Sequence, residues 1–198
     1  MFIVFEGIDG CGKSTQILKL VNYFYNLDKH NHILLTREPY KEREIRKILK
    51  SEQDPYSQKE KLTELYVNDR KEHIKNLITP SLEKNMIVIS DRYKYSTICY
   101  QSVQGQDVKG LMKMHENMPI PNFVFIINTS VKTASIRMHG DSRDEHKFEK
   151  NKEFLEKVRQ NYLKMKEIFP NEKIIIINGE KPIEEIFKEI KKYFPKPL

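Results

Sequence analysis

The sequence predicts an α/β protein built on a doubly wound parallel sheet, and three observations carry that prediction. Five short runs are apolar almost throughout and rich in β-branched residues. The stretches between them repeat apolar residues at helical spacing on a charged background. Residues able to do chemistry gather directly after the apolar runs, where the carboxyl ends of parallel strands open a crevice.

In chain order, Phe2–Phe5 is the first run; it stops at Glu6 and Gly7, as a buried parallel strand would. A glycine loop follows, and then Leu18, Leu20, Val21, Phe24 and Leu27 recur at helical spacing up to the turn at Asp28–Asn31. His32–Thr36 reads as the second strand and completes a βαβ unit. Lys/Glu-rich helical stretches near 41–50 and 57–78 precede the third strand, Met86–Ser90, whose start is set by Pro80 and Asn85. Phe123–Ile127 and Lys173–Ile177 supply two more. Strands this apolar, each separated by helical stretches, require helices on both faces and right-handed crossovers. No repeat, low-complexity segment or linker interrupts the 198 residues, so a single domain spanning 1–198 is expected.

Composition excludes several classes. With 38% hydrophobic and 32% charged residues, and no apolar run near the roughly 18 residues that span a bilayer, the chain is not expected to enter a membrane. Its start lacks the basic residues and small-residue cleavage site of a secretory signal, which points to the cytoplasm. Cys11 and Cys99 are too few for a disulfide framework and match no metal-ligand spacing, so free thiols are expected. The net charge of +7 suits small anions such as nucleotides. It is spread as Lys/Glu mixtures, without the basic stripe and interleaved aromatics of a nucleic-acid binder.

The strongest motif is Gly7-Ile8-Asp9-Gly10-Cys11-Gly12-Lys13-Ser14, which satisfies GxxxxGK[ST] between a strand and a helix. In that setting the glycines turn successive N–H groups inward, and the helix N-terminus adds a field that favours phosphates. Residues Gly7 to Thr15 are therefore the candidate ATP-binding loop, with Lys13 reaching the β- and γ-phosphates and Ser14 a magnesium ligand. The fold is accordingly of the P-loop nucleotide-hydrolase type. The loop alone does not say what is done with the nucleotide.

Three further clusters narrow the choice. Arg37-Glu38-Pro39 follows the second strand, Asp91-Arg92-Tyr93 follows the third, and Tyr100-Gln101 lies on the helical stretch beyond. Arg37 and Arg92 can hold an acceptor phosphate by bidentate bonds, and Asp91 can sit near the magnesium. With Asp69-Arg70, Glu72-His73 and Ser96, these motifs resemble the thymidylate kinase family in order and spacing, from the P-loop to the last strand. That resemblance implies a five-stranded parallel core, a homodimer, and phosphorylation of dTMP to dTDP with ATP and Mg2+ in dTTP synthesis. It further implies that Arg70, Ser96 and Gln101 contact the thymine base, that Tyr66 stacks on it, and that Tyr100 lies under the deoxyribose.

Phosphoryl transfer also needs positive charge near the migrating group. The polar stretch 137–149 reads as a mobile lid, with Arg143 the leading catalytic candidate beside Lys13, Asp91 and Arg92, and Arg137 the second. Two departures from the family pattern stand out: Tyr40 replaces a glycine after Arg-Glu-Pro, where it could reshape the acceptor pocket, and Asn128 replaces an acid at the fourth strand's end. His139 and His146 read as surface histidines. The alternatives are a kinase for another nucleoside monophosphate and a non-enzymatic nucleotide switch; against the switch, Asn151-Lys152-Glu153-Phe154 opens a helix and lacks a guanine-reading Asp.

Overall fold

The computed structural model describes residues 1–139 and 151–195. Strands β1 (Phe2–Glu6), β2 (Ile33–Arg37), β3 (Ile87–Asp91), β4 (Phe123–Asn128) and β5 (Ile174–Asn178) form one parallel sheet in the order β2-β3-β1-β4-β5. Between and after them run α1 (Lys13–Leu27), α2 (Arg43–Ser51), α3 (Lys59–His73), α4 (Thr79–Glu83), α5 (Lys94–Val103), α6 (Val108–Lys113), α7 (Val131–His139), α8 (Lys152–Ile168) and α9 (Ile183–Lys191). No helix among the described residues is long and apolar enough to cross a membrane.

Alternation along β1 explains why the sheet is covered twice. Phe2 meets Tyr93 edge-on at 5.2 Å, and Glu6 on the same face reaches Ser96 of α5 and Tyr162 of α8. Phe5 points the other way, against Phe125, which touches Phe194, which in turn meets Phe24 of α1. Every residue of β1 is buried, so each apolar side chain contributes roughly 1.5–3 kcal/mol of transfer free energy. Cys11 and Cys99 are free and buried within this core.

The strands run one residue further than their apolar runs. Each continues onto a polar residue: Glu6, Arg37, Asp91, Asn128 and Asn178. A parallel ladder continues wherever a neighbour supplies partners, whatever the side chain, and here Arg37 pairs with Asp91 and Asn128 with Asn178. The result is a row of polar side chains along one rim. The chain leaves β1 towards β2 on one side and leaves β3 towards β4 on the other, so the crevice lies beyond β1 and β3.

One boundary needs correction. Pro80 does not end the helical stretch before β3; it sits in the first turn of α4, and α3 reaches it through a wide turn at Ile74–Ile78 with i→i+5 bonding. Widening the turn accommodates a residue that brings no N–H and whose ring crowds the preceding turn. The stop comes at Asn85, whose φ of 56° places it in the left-handed region. Its N–H bonds Leu82 O at 2.9 Å and that of Met86 bonds Ser81 O at 3.0 Å, a paired closure that satisfies the last carbonyls.

Candidate active site

The loop after β1 is built for an anion. Gly7 has φ 134°, and a Cβ there would stand 2.7 Å from Ile127 O; at Gly10 it would stand 2.3 Å from Ala134 O. Only glycine lets the loop press this closely on β4 and α7. Gly12 caps α1 without a side-chain bond, and the first turn of α1 carries no acid, so its N–H groups and positive end stay open. Lys13 is buried, and its Nζ donates to Gly7 O at 3.0 Å and Ile8 O at 3.1 Å, 3.9 Å from the Asp9 carboxylate. The Ser14 and Thr15 side chains are exposed on the first turn.

Next to this loop lies a pocket whose walls include Asp9, Arg37, Pro39, Tyr66, Arg92 and Tyr100, with Glu38, Leu49, Arg70, Ser96 and Thr97 completing them. Of the substrate residues read from sequence, Arg37, Tyr66, Arg70, Arg92, Ser96 and Tyr100 come together here. Gln101 does not line it: the side chain is buried behind α5 and donates to Thr63 Oγ1 at 3.2 Å. Arg37 is exposed and its side chain makes no hydrogen bond or ion pair with a described residue, which leaves its guanidinium available to a ligand. Burial holds the Tyr66 and Tyr100 hydroxyls above the ordinary phenol range, so both rings face the pocket uncharged.

Arg92 joins the two halves of the site. Its Nη2 donates to Asp9 Oδ1 at 2.7 Å and its Nη1 to Ser96 Oγ at 2.8 Å and Tyr162 OH at 3.1 Å, with the guanidinium 5.5 Å from the Tyr100 ring centre. The backbone at Arg92 has φ 74°, a strained conformation costing on the order of 1–3 kcal/mol for a non-glycine residue. It is held by Arg92 N–H to Phe5 O at 2.9 Å and by Ser90 Oγ to Arg92 O at 2.8 Å. Asp91, the residue before it, has a buried Oδ1 with no hydrogen-bond partner among the described residues.

Arg70 is held from several sides. Nε donates to Glu38 Oε2 at 2.7 Å, Nη1 to His115 Nε2 at 2.7 Å, and Nη2 to Tyr93 O at 3.1 Å and Thr97 Oγ1 at 2.9 Å. His115 accepts in its neutral form, its Nδ1–H donating to Leu111 O at 2.6 Å; burial first, and then the Arg70 charge, bring its pKa down to about 3. Glu38 also accepts from His73 Nδ1 at 3.2 Å, and His73 Nε2 accepts from Thr36 Oγ1 at 2.8 Å. Tyr40 does not line the pocket: its ring stacks on His73 at 4.6 Å, while Asp69 accepts from the N–H groups of Lys41 and Glu42 and fixes the loop. Its replacement of a glycine therefore leaves the pocket wall to its neighbours.

On the side of α7, Arg137 donates to Cys11 O at 3.3 Å and Gly179 O at 3.1 Å, which ties α7 to the phosphate loop and to the turn after β5. Asn128 accepts from Arg159 Nη1 at 2.8 Å, so a neutral oxygen there meets a cation. Arg143, His146 and the side chain of His139 lie outside the described residues.

Sequence reasoning missed the supports. Glu6 is fully buried at the end of β1 and accepts from Tyr93 N–H at 2.8 Å, Ser96 Oγ at 2.6 Å and Tyr162 OH at 3.1 Å. Burial pushes its carboxyl up, against the pull of Arg92. A lone Glu at a strand end carries no signal for such a role; its fully buried place beside Tyr93, Ser96 and Tyr162 is visible only once folded. Asp9 likewise reads from sequence as a loop residue, whereas it also lines the pocket beside the loop.

Comparison with known proteins agrees with this geometry. A family model described as thymidylate kinase matches residues 5–190. A protein named thymidylate kinase from Fervidobacterium nodosum is 38% identical, covering 98% of this chain and 98% of its own. Proteins named probable thymidylate kinase from Thermococcus kodakarensis, at 37% identity over 96% of this chain and 95% of their own, and from Methanococcus aeolicus, at 39% over 96% and 93%, are similar throughout.

Proposed function

The chain belongs to the thymidylate kinase family, and on that premise we propose how its residues divide the work of phosphorylating dTMP. The protein is an ATP-dependent nucleoside monophosphate kinase, a phosphotransferase that converts dTMP to dTDP in dTTP synthesis. A phosphate oxygen of dTMP attacks the γ-phosphorus of ATP as the bond to the β-phosphate oxygen breaks, giving dTDP and ADP.

The observation that carries the assignment of roles is the Arg92–Asp9 pair at 2.7 Å, which makes the anion loop and the arginine-lined pocket one continuous site. ATP lies on Gly7–Thr15, its terminal phosphates held by loop N–H groups and Lys13. The dTMP phosphate takes Arg37 and Arg92, both wall residues of the pocket. Tyr66 and Tyr100 supply flat apolar faces for base and sugar, and Arg70 offers an N–H to a pyrimidine carbonyl. Ser96 and Gln101 complete the base side in the family's pattern; the support is weaker for Gln101, which stands behind the wall. Arg143 is the lid's contribution to transition-state charge.

Magnesium fits these residues. The Asp91 Oδ1 at the rim, which has no hydrogen-bond partner among the described residues, and the exposed Ser14 hydroxyl are hard oxygen donors, and a magnesium site that relies on phosphate oxygens and water needs few protein ligands. Bound there, the ion would neutralise charge on the phosphates of ATP. The working assembly is a cytoplasmic homodimer of single-domain chains, without nucleic-acid or membrane partners; sedimentation at micromolar concentration measures the dimer directly.

The test is ADP release across the common monophosphates. dTMP should give the highest kcat/KM. A higher value for AMP, GMP or CMP overturns the acceptor assignment while leaving the ATP loop standing.

A further inference from the structure

Among the groups that touch Arg92, the Tyr162 hydroxyl belongs to none of the motifs that identify the site. Tyr162 projects from α8, the helix that begins directly after residues 140–150, and its side chain is 1% exposed. Its hydroxyl lies 3.1 Å from Arg92 Nη1, 2.8 Å from Ser96 Oγ and 3.1 Å from Glu6 Oε2. Arg92 carries only donors, so the phenol oxygen accepts there, and the phenol proton is left for an acceptor. Ser96 Oγ at 2.8 Å and Glu6 Oε2 at 3.1 Å are the acceptors within its reach. Ser96 Oγ accepts from Arg92 and donates to the same carboxylate oxygen at 2.6 Å.

The consequence is a closed polar cluster in which two hydroxyls stand between a guanidinium and a buried carboxylate. The cluster touches three elements of the fold: the end of β1 through Glu6, the start of α5 through Ser96, and α8 through Tyr162. Asp9 takes the other guanidinium nitrogen, at 2.7 Å. Without the Tyr162 hydroxyl, Nη1 loses one of the two hydroxyls that hold it, and the planar group is freer to tilt. A guanidinium binds phosphate well only when its two donors meet two oxygens at once, so tilt matters more for Arg92 than loss of contact area.

We propose that Tyr162 is a positioning residue for Arg92, fixing the plane of its guanidinium for the acceptor phosphate and tying that plane to helix α8. The proposal rests on the role given above to Arg92 and does not follow from it. A phosphate-binding arginine needs no tyrosine from α8, and Asp9 with Ser96 would already satisfy its charge. What the tyrosine adds is orientation, together with a mechanical link between the helix that follows the lid segment and the acceptor half of the site.

The experiment is a double-mutant cycle on the full chain, Tyr162→Phe with Arg92→Lys, reading KM for dTMP, KM for ATP, kcat and the melting temperature. Tyr162→Phe keeps the buried ring and removes only the hydroxyl. It should raise KM for dTMP by about tenfold, the size of one hydrogen bond to a charged group, while KM for ATP stays within about twofold. Placed on Arg92→Lys, which lacks the planar fork, the same substitution should change KM for dTMP by less than about twofold, because its target is gone. An unchanged KM for dTMP in Tyr162→Phe overturns the proposal. So does an equal rise for dTMP and ATP, or an equal effect in both backgrounds, since either would mark Tyr162 as a packing residue. If instead Arg92→Lys alone leaves KM for dTMP unchanged, the failure lies in the role of Arg92.

Discussion

Removing the Glu38 carboxylate should separate what the buried network does for stability from what it does for the substrate. Glu38 is 5% exposed and Arg70 1%, and the ion pair between them is 2.6 Å long. In Glu38→Ala the Arg70 charge stays buried with only neutral partners, His115, Tyr93 O and Thr97, a loss of roughly 3–5 kcal/mol for breaking one side of a buried pair. For a chain of 198 residues, where 1 kcal/mol moves the midpoint by about 2–4 °C, the melting temperature should fall by roughly 6–20 °C. Glu38→Gln should fare much better. Its amide oxygen can accept from Arg70, while its NH2 group faces His73 Nδ1, and His73 can turn to the other tautomer and donate through Nε2 to Thr36 Oγ1 at 2.8 Å. The Arg70 charge is uncompensated in this variant too, but every donor keeps an acceptor, so the cost should be smaller than in Glu38→Ala by about the 1–3 kcal/mol of an unmade buried hydrogen bond. Thermal melts of both variants with and without dTMP make the measurement, and KM for dTMP should rise in the order wild type, Gln, Ala. A Glu38→Ala protein that melts within about 3 °C of wild type would refute the idea that Glu38 offsets the burial of Arg70.

Other outcomes follow from the same geometry. Lys13→Ala and Arg143→Ala should each lower kcat by on the order of a hundredfold or more, with dTMP binding by calorimetry nearly unchanged for Arg143→Ala; wild-type kcat in that variant combined with loss in Arg137→Ala would exchange the two arginines' roles. His115 has its pKa driven down to about 3, so the unfolded chain takes up a proton below about 6.5 that the folded state refuses. Its contribution to stability is complete above that pH and is lost as pH falls towards the folded value, at about 1.4 kcal/mol per pH unit. Urea melts between pH 6 and 4 should show a shallower decline for His115→Gln than for wild type. With Tyr100 in the proposed place beside the acceptor sugar, ribothymidine monophosphate should be a poorer acceptor than dTMP by about one to two orders of magnitude. Tyr100→Ala should narrow that gap, and equal discrimination in both enzymes would assign sugar choice elsewhere.

The sheet was legible because a parallel strand buried on both faces leaves little room for polar residues, so Phe2–Phe5 and Ile174–Ile177 stand out against charged helices. What the apolar criterion trimmed was the last residue of each strand, and those residues form the rim. Arg37, Tyr66, Arg70, Arg92, Ser96 and Tyr100 converge as the motif order implies. Their supports were invisible for a physical reason. Glu6, His115 and Tyr162 act through contacts 45 to 156 residues away in sequence, and no local spacing encodes a partner at that distance. Pro80 misled because a proline normally interrupts i→i+4 bonding, whereas the wide turn at Ile74–Ile78 had already changed the bonding pattern before it.

That wide turn also has a consequence for how the chain tolerates changes in length. An i→i+5 turn holds one residue more than an α-turn, so every residue after it sits about 100° back in helical phase from its place in an uninterrupted α-helix of the same sequence. Arg70 on one side of the turn faces the pocket, and Ser81 on the other side is buried against the start of β3. The wide turn absorbs its extra residue without turning either flank, so an α-helix one residue shorter would carry both faces in the same orientation. Deleting one residue within Ile74–Ile78 should therefore do less harm than its buried area suggests, because ordinary i→i+4 bonding can resume across the gap. Deleting two has no such remedy and should rotate either the pocket face or the strand-packing face out of position. Relatives that differ in length along this helix should accordingly differ by a single residue, with the wide turn present in the longer chains and closed in the shorter ones.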